Sequence, residues 1–113
     1  MKIGIISDTH NNQKFIKKAI KYFNDEKVAF VFHAGDVSEP KTCELFQNLD
    51  SKLILSFGNC DIERDEIRLE LQDKAIMCKD ICEMVIENKK IVMAHKIESI
   101  NQSADLVIYG HTH

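Results

Sequence analysis

Tryptophan is absent from this chain of 113 residues, proline occurs once and glycine four times. No apolar stretch approaches the roughly 20 residues that a membrane span requires. The opening run from Ile3 to Ile6 is too short for a signal-peptide core and meets Asp8 almost at once. Long basic blocks are missing too: 15 Lys and Arg stand against 18 Asp and Glu, a formal charge of −3. Such a mildly acidic chain is a poor partner for nucleic acid. Repeats, low-complexity tracts and linkers are also lacking, so we read one domain over residues 1–113. Cysteine is sparse, at positions 43, 60, 78 and 82, and three residues separate Cys78 from Cys82, not the two of the commonest zinc or redox pair. With 44% apolar residues the chain folds without staples. We therefore expect four reduced thiols, Cys43 and Cys82 as small core residues, and a cytoplasmic address.

What is present alternates. The apolar run Lys2 to Ser7 is followed by Asn12 to Asn24, where Phe15, Ile16, Ala19, Ile20 and Phe23 recur at helical spacing. Lys14, Lys17, Lys18 and Lys21 form the solvated face of that helix. Val28 to His33 is a second strand, Ser38 and Pro40 start a helix reaching about Leu49, and Lys52 to Phe57 is a third strand. Strand, helix, strand, helix, strand with short connections indicates a parallel sheet built by right-handed crossovers. Beyond Asp61 two patterns compete. Ile67, Leu69 and Leu71 alternate as in a strand, whereas the charges of Glu63 to Glu66 suit a turn or short helix. Cys82 to Ile86 and Ile91 to Ala94 read as a hairpin around Glu87 to Lys90. The polar residues 96–104 suit one or two helical turns, and Asp105 to Tyr109 is a last strand.

The informative residues follow the strands. Ser7 runs into Asp8-Thr9-His10, Ala34 into Gly35-Asp36, Phe57 into Gly58-Asn59-Cys60-Asp61, Ala94 into His95, and Tyr109 into Gly110-His111-Thr112-His113. Taken singly, each has a plain reading: a helix cap, a turn, or an incidental histidine. Taken together, five apolar strands each deliver an oxygen or imidazole donor at the C-terminal edge, where open α/β sheets bind ligands. Asp8, His10, Asp36, Asn59, His95, His111 and His113 are more donors than one tetrahedral ion needs. They suit two ions about 3.5–4 Å apart with Asp36 as the bridging carboxylate. The donor types favour manganese first, with iron, zinc or nickel as alternatives. His33, the remaining histidine, is read as a core residue that supports a ligand carboxylate.

This ordered motif set resembles the calcineurin-like metallophosphoesterases, and within them the small prokaryotic phosphodiesterases. The resemblance runs from the first strand to the last residue. It implies a four-layer α/β/β/α sandwich with a dinuclear site at the strand ends. One ion would take Asp8, His10, Asp36 and His113, the other Asp36, Asn59, His95 and His111. The implied reaction is in-line attack of a metal-bridging hydroxide on the phosphorus of a small phosphodiester, with monoesters secondary. Asp36, Asn59 and His95 would position the nucleophile and the phosphate. Many relatives carry a histidine where this chain has Cys60, and a neutral thiol is a weak general acid. Asp61 either organises its loop or handles a proton, the first being the better reading. Where relatives have glycine after the fourth-motif histidine, this chain has Lys96, an exposed side chain or a phosphate contact.

The alternative class is a protein-interaction scaffold on the same fold. Such scaffolds tend to lose metal-site residues, and all seven donors are present here. The chain ends on His113, itself an expected ligand, and chain ends fray. We therefore expect the C-terminal part of the second sheet to be missing, leaving the last strand as an exposed edge open to pairing with a second copy.

Overall fold

The computed structural model describes residues 1–37 and 39–111. Ser38, Thr112 and His113 lie outside them, so the helix start expected at Ser38 and the ligand expected at His113 are not described.

The first sheet is parallel, in the order β1 (Ile3–Ile6), β2 (Phe30–His33), β3 (Lys52–Ser56) and β4 (Ala75–Cys78). Helix α1 (Gln13–Asp25) connects the first two strands. It is capped by Asn12, whose side chain accepts the Phe15 N–H. Ile16 and Ile20 are buried on its apolar stripe, while Lys14, Lys17, Lys18 and Lys21 are exposed.

The second connection is helical only over α2 (Pro40–Cys43), and a 3-10 segment carries on from Glu44 to Asn48. Its buried residues explain the change. Cys43, Phe46 and Leu49 recur every third position, the period of a 3-10 helix.

The ambiguous stretch after Asp61 forms α3 (Arg64–Leu71). Ile67 and Leu71, four residues apart, are buried, whereas Leu69 is exposed. The helical period therefore prevails over the apparent alternation, helped by Asp65 and Glu66 in the first turn. Strand β4 follows directly; the sequence reading did not anticipate it.

The second sheet has the order β5 (Ile81–Ile86), β6 (Lys89–Ala94) and β7 (Leu106–Tyr109). β5 and β6 form the expected hairpin, with Glu87 and Asn88 alone as the turn, both at positive φ. That geometry matches the right-handed twist of the flanking strands. β7 lies parallel to β6, and the connection between them carries one 3-10 turn, Ile97–Ser99.

The strand pleat divides the core in two. Val31, Leu53 and Leu55 face the helices and pack with Ile16, Phe46 and Leu71. Phe32 and Ile54 face the second sheet and meet Cys82, Ile91, Met93 and Ile108. Helices, sheet and sheet are thus stacked as an α/β sandwich, and fully burying each such apolar side chain contributes about 1.5–3 kcal/mol. None of the described helices is long and apolar enough to cross a membrane.

One expectation about cysteine is corrected. Cys78 and Cys82 form a disulfide that ties the end of β4 to β5. The tight Lys79-Asp80 reversal brings their Cα atoms to 5.5 Å, within bridging range. Cys82 is still a small buried residue, as expected, but not a free thiol. Cys43 is buried and reduced, and burial pushes its thiol up to about 12.

Candidate metal centre

The C-terminal ends of β1, β2, β3, β6 and β7 come together at one edge, and their loops are laced by backbone hydrogen bonds. Asp8 N–H donates to Gly35 O at 2.8 Å, His10 N–H to Asp36 O at 2.8 Å, and Gly110 N–H to His95 O at 2.9 Å. Asp8, His10, Asp36 and His111 all have positive φ, between 48° and 71°. Each pays for this left-handed conformation, and a cluster of such residues points to function. The loops afford no alternative, because they must turn sharply while directing a side chain inward.

Asp36 is the centre of this arrangement and is almost wholly buried. Its own N–H donates to Asp61 Oδ2 at 2.8 Å, and its Oδ1 accepts the Cys60 N–H at 2.8 Å. Asp61, also buried, takes the Gly58 N–H through the same oxygen at 2.8 Å. Asp61 therefore stitches the β2 loop to the β3 loop, which is the organising role expected of it. Gly58 is required by this closeness: a Cβ there would collide with the Asp36 backbone nitrogen and carboxylate. At Gly35, with φ of 105°, a Cβ would lie 2.8 Å from His95 Nδ1.

His95 shows what the cluster is built to hold. Its Nδ1 lies 2.8 Å from Ala34 O, a partner that can only accept, so Nδ1 carries the proton. Nε2 then presents a lone pair 3.2 Å from Asp36 Oδ2 and 3.9 Å from Asp8 Oδ1. This Nε2 is buried and has no hydrogen-bond partner among the described residues. Carboxylate oxygens and an imidazole lone pair converging in this way fit a divalent cation.

Among the described residues, two donor groups satisfy that geometry. Asp36, His95 and His111 form one, and His10, Asp36 and Cys60 the other, each with donor atoms within 4.8 Å of one another. Asp36 belongs to both. His10 Nε2 is 3.9 Å from Asp36 Oδ2. The His111 ring stands 5.1 Å from that of His95, and its N–H donates to Asp8 Oδ2 at 3.0 Å. Ser7 Oγ also donates to that oxygen, at 2.6 Å. Asn59 is exposed, with its amide nitrogen 3.6 Å from Cys60 Sγ. The exposed Cys60 thiol is pushed up by desolvation and by the charge of Asp36.

His33 supports the loops. Its Nδ1 accepts the Gly35 N–H at 3.0 Å, which leaves Nε2 protonated and donating to Thr9 Oγ1 at 3.0 Å. One buried neutral ring thus braces the loops after β1 and β2. Burial lowers its pKa to about 3.

Arg64 was missed by the sequence reading. Its Nε–H donates to Asp61 O at 2.9 Å and an Nη2–H to Gly58 O at 3.1 Å, and its guanidinium lies over the Phe57 ring. It clamps the loop that carries Asn59 and Cys60. Its only signal was a position just after the Gly58 to Asp61 motif, inside a run of charges.

Residues 1–113 match the calcineurin-like phosphoesterase superfamily domain. The chain is 38% identical to phosphodiesterase MJ0936 of Methanocaldococcus jannaschii over all of its own length and 74% of that protein. It is 23% identical to phosphodiesterase YfcE of Escherichia coli K12, covering 70% of it. Among solved structures, one of a novel archaeal phosphodiesterase superposes with a TM-score of 0.90 at 37% identity, over 100% of this chain and 74% of that one. The YfcE structure gives a TM-score of 0.78 at 20% identity over 99% and 70%, a likeness of fold. The chain belongs to the calcineurin-like phosphoesterase superfamily, a group of phosphoester hydrolases.

Proposed function

We propose that this chain is a phosphodiesterase that works with two divalent metal ions held jointly by Asp36. On this reading one ion is taken by Asp8, His10, Asp36 and His113, and the other by Asp36, Asn59, His95 and His111. The observation that carries it is the membership of Asp36 in two separate donor groups. Manganese is the ion we assign first, and the same donors suit nickel, zinc or iron. Bound there, divalent ions supply a nucleophile from water at neutral pH and neutralise the phosphate oxygens.

The chain's own residues orient the reaction. Asp36 keeps its carboxylate in one orientation because the Cys60 N–H occupies Oδ1 and the Asp61 carboxylate holds its backbone. His95 keeps its Nε2 turned inward because Nδ1–H is committed to Ala34 O. Asn59 and His95 line one cleft and position the phosphate between them. Cys60, a thiol with a raised pKa, is a weak acid toward the leaving oxygen, so activated leaving groups are favoured. A small phosphoester is the substrate and the cytoplasm the address, where Cys78–Cys82 is a bond that the reducing compartment opposes.

The test is hydrolysis of bis-p-nitrophenyl phosphate with added manganese, before and after chelation. We expect turnover that chelation abolishes and manganese restores. A folded, metal-loaded protein without turnover would overturn the proposal and leave the interaction-scaffold reading in its place.

A further inference from the structure

Beside the metal centre lies a cleft of about 160 Å³, lined by His95, Asn59, Arg64, Lys96 and Ser99 among others. Its hydrogen-bonding inventory is lopsided. Arg64 has five N–H donors, of which Asp61 O and Gly58 O engage two; the other three have no partner among the described residues. The guanidinium is nonetheless fixed, since those two bonds and the Phe57 ring hold its plane. Lys96, exposed at the start of the β6–β7 connection, brings a second cation that no described carboxylate pairs with. The Asn59 amide and the Ser99 hydroxyl add further donors. Asp80 supplies the one carboxylate of the lining, and its carbonyl is already engaged by Ser56 Oγ. Two cationic side chains therefore stand against one carboxylate in a cleft that His95 also lines.

We infer that this cleft is a second anion subsite. It takes a negatively charged group carried by the substrate beyond the phosphate that reacts. Resting on the phosphodiesterase reading above, it narrows the substrate to a phosphoester bearing a further phosphate or carboxylate. Arg64 supplies a preformed planar fork and Lys96 a mobile point charge. Lys96 thereby gains a role that the sequence left open between an exposed side chain and a phosphate contact.

Arg64 also holds the Asn59 loop, so Lys96 carries the test. Three phosphomonoesters that differ in their remote group serve as probes: phosphocholine is cationic there, glycerol phosphate neutral and phosphoglycerate anionic. Their binding to the manganese-loaded protein is measured by calorimetry, which reads affinity and not turnover. We expect phosphoglycerate to bind about tenfold more tightly than glycerol phosphate, and phosphocholine to bind most weakly. Lys96→Glu should reduce or invert that order, and Lys96→Arg should keep it, with unchanged thermal melting in both variants. Equal binding of the three probes to the unmodified protein, or an unchanged order in Lys96→Glu, would overturn the subsite alone. Failure of all three to bind would likewise overturn the subsite, and the phosphodiesterase reading falls with it only if the metal-loaded protein also leaves bis-p-nitrophenyl phosphate intact.

Discussion

In the first sheet the central strands β2 and β3 are covered on both faces, whereas in the second only β6 is, from Ile91 to Ala94, and β5 and β7 leave one face open. Leu53 to Ser56 are all buried, while Val85 on β5 is 69% exposed and Val107 and Tyr109 on β7 stand partly open. The candidate site follows the same division. Asp8, His10 and Asp36 come from the first sheet, and their loops are hydrogen-bonded directly to one another. His95 and His111 come from the second sheet and take their positions from the first, through Ala34 O and the Asp8 carboxylate. Order in the second sheet's half of the site is borrowed.

The most damaging way to break this asymmetry is at its shared residue. If the proposed two-metal centre is right, Asp36→Ala should lose both metals and reduce hydrolysis of bis-p-nitrophenyl phosphate to background, which metal analysis and a rate assay check together. Retention of a full metal complement would contradict the central place of Asp36. Next, Leu55→Ala on the doubly covered strand β3 should cost about 2–5 kcal/mol in urea unfolding. Val85→Ala on the open face should stay within about 0.5 kcal/mol. Similar costs at the two positions would remove the distinction between the sheets.

Replacing Cys78 and Cys82 together by serine should cost about 2 kcal/mol, because the bridge closes a short loop and restricts the unfolded chain only modestly. Chemical reduction of the unmodified protein should match that loss. The gentlest probe is pH. His33 is neutral in the folded protein, with a pKa near 3 against 6.5 when unfolded, so unfolding takes up a proton between those values. Its contribution is complete above about pH 6.5 and is lost progressively as pH falls toward 3. His33→Phe should flatten that part of a stability-against-pH curve; an unchanged slope would show that the ring is not the group responsible.

The legible parts of this molecule are those where chemistry and period agree. Asp8, His10, Asp36, His95 and His111 stood out because each follows an apolar strand directly, and strand ends in a parallel sheet share an edge. Helix α1 was legible from the spacing of Ile16 and Ile20. Helix α3 was not, because Leu69 lies on its exposed face and mimics a strand alternation with Ile67 and Leu71. The four-residue β4 gave too short a pattern to register, and the Cys78–Cys82 bridge depends on a chain reversal that spacing alone does not reveal. Arg64 was hidden for a different reason. Its value lies in which carbonyls it reaches, and one arginine in a charged run carries no mark of that.

The left-handed residues at Asp8, His10, Asp36 and His111 have a practical corollary. An isolated chain segment would relax each of them to a right-handed or extended conformation, so none of the corresponding loops keeps its shape alone. The catalytic edge is accordingly a property of the assembled frame and not of its pieces. On slow warming, opening of these loops would release this stored torsion locally while most of the two cores is still packed. Activity should then fade at a lower temperature than the one at which the protein melts, and return on cooling as long as the frame has survived.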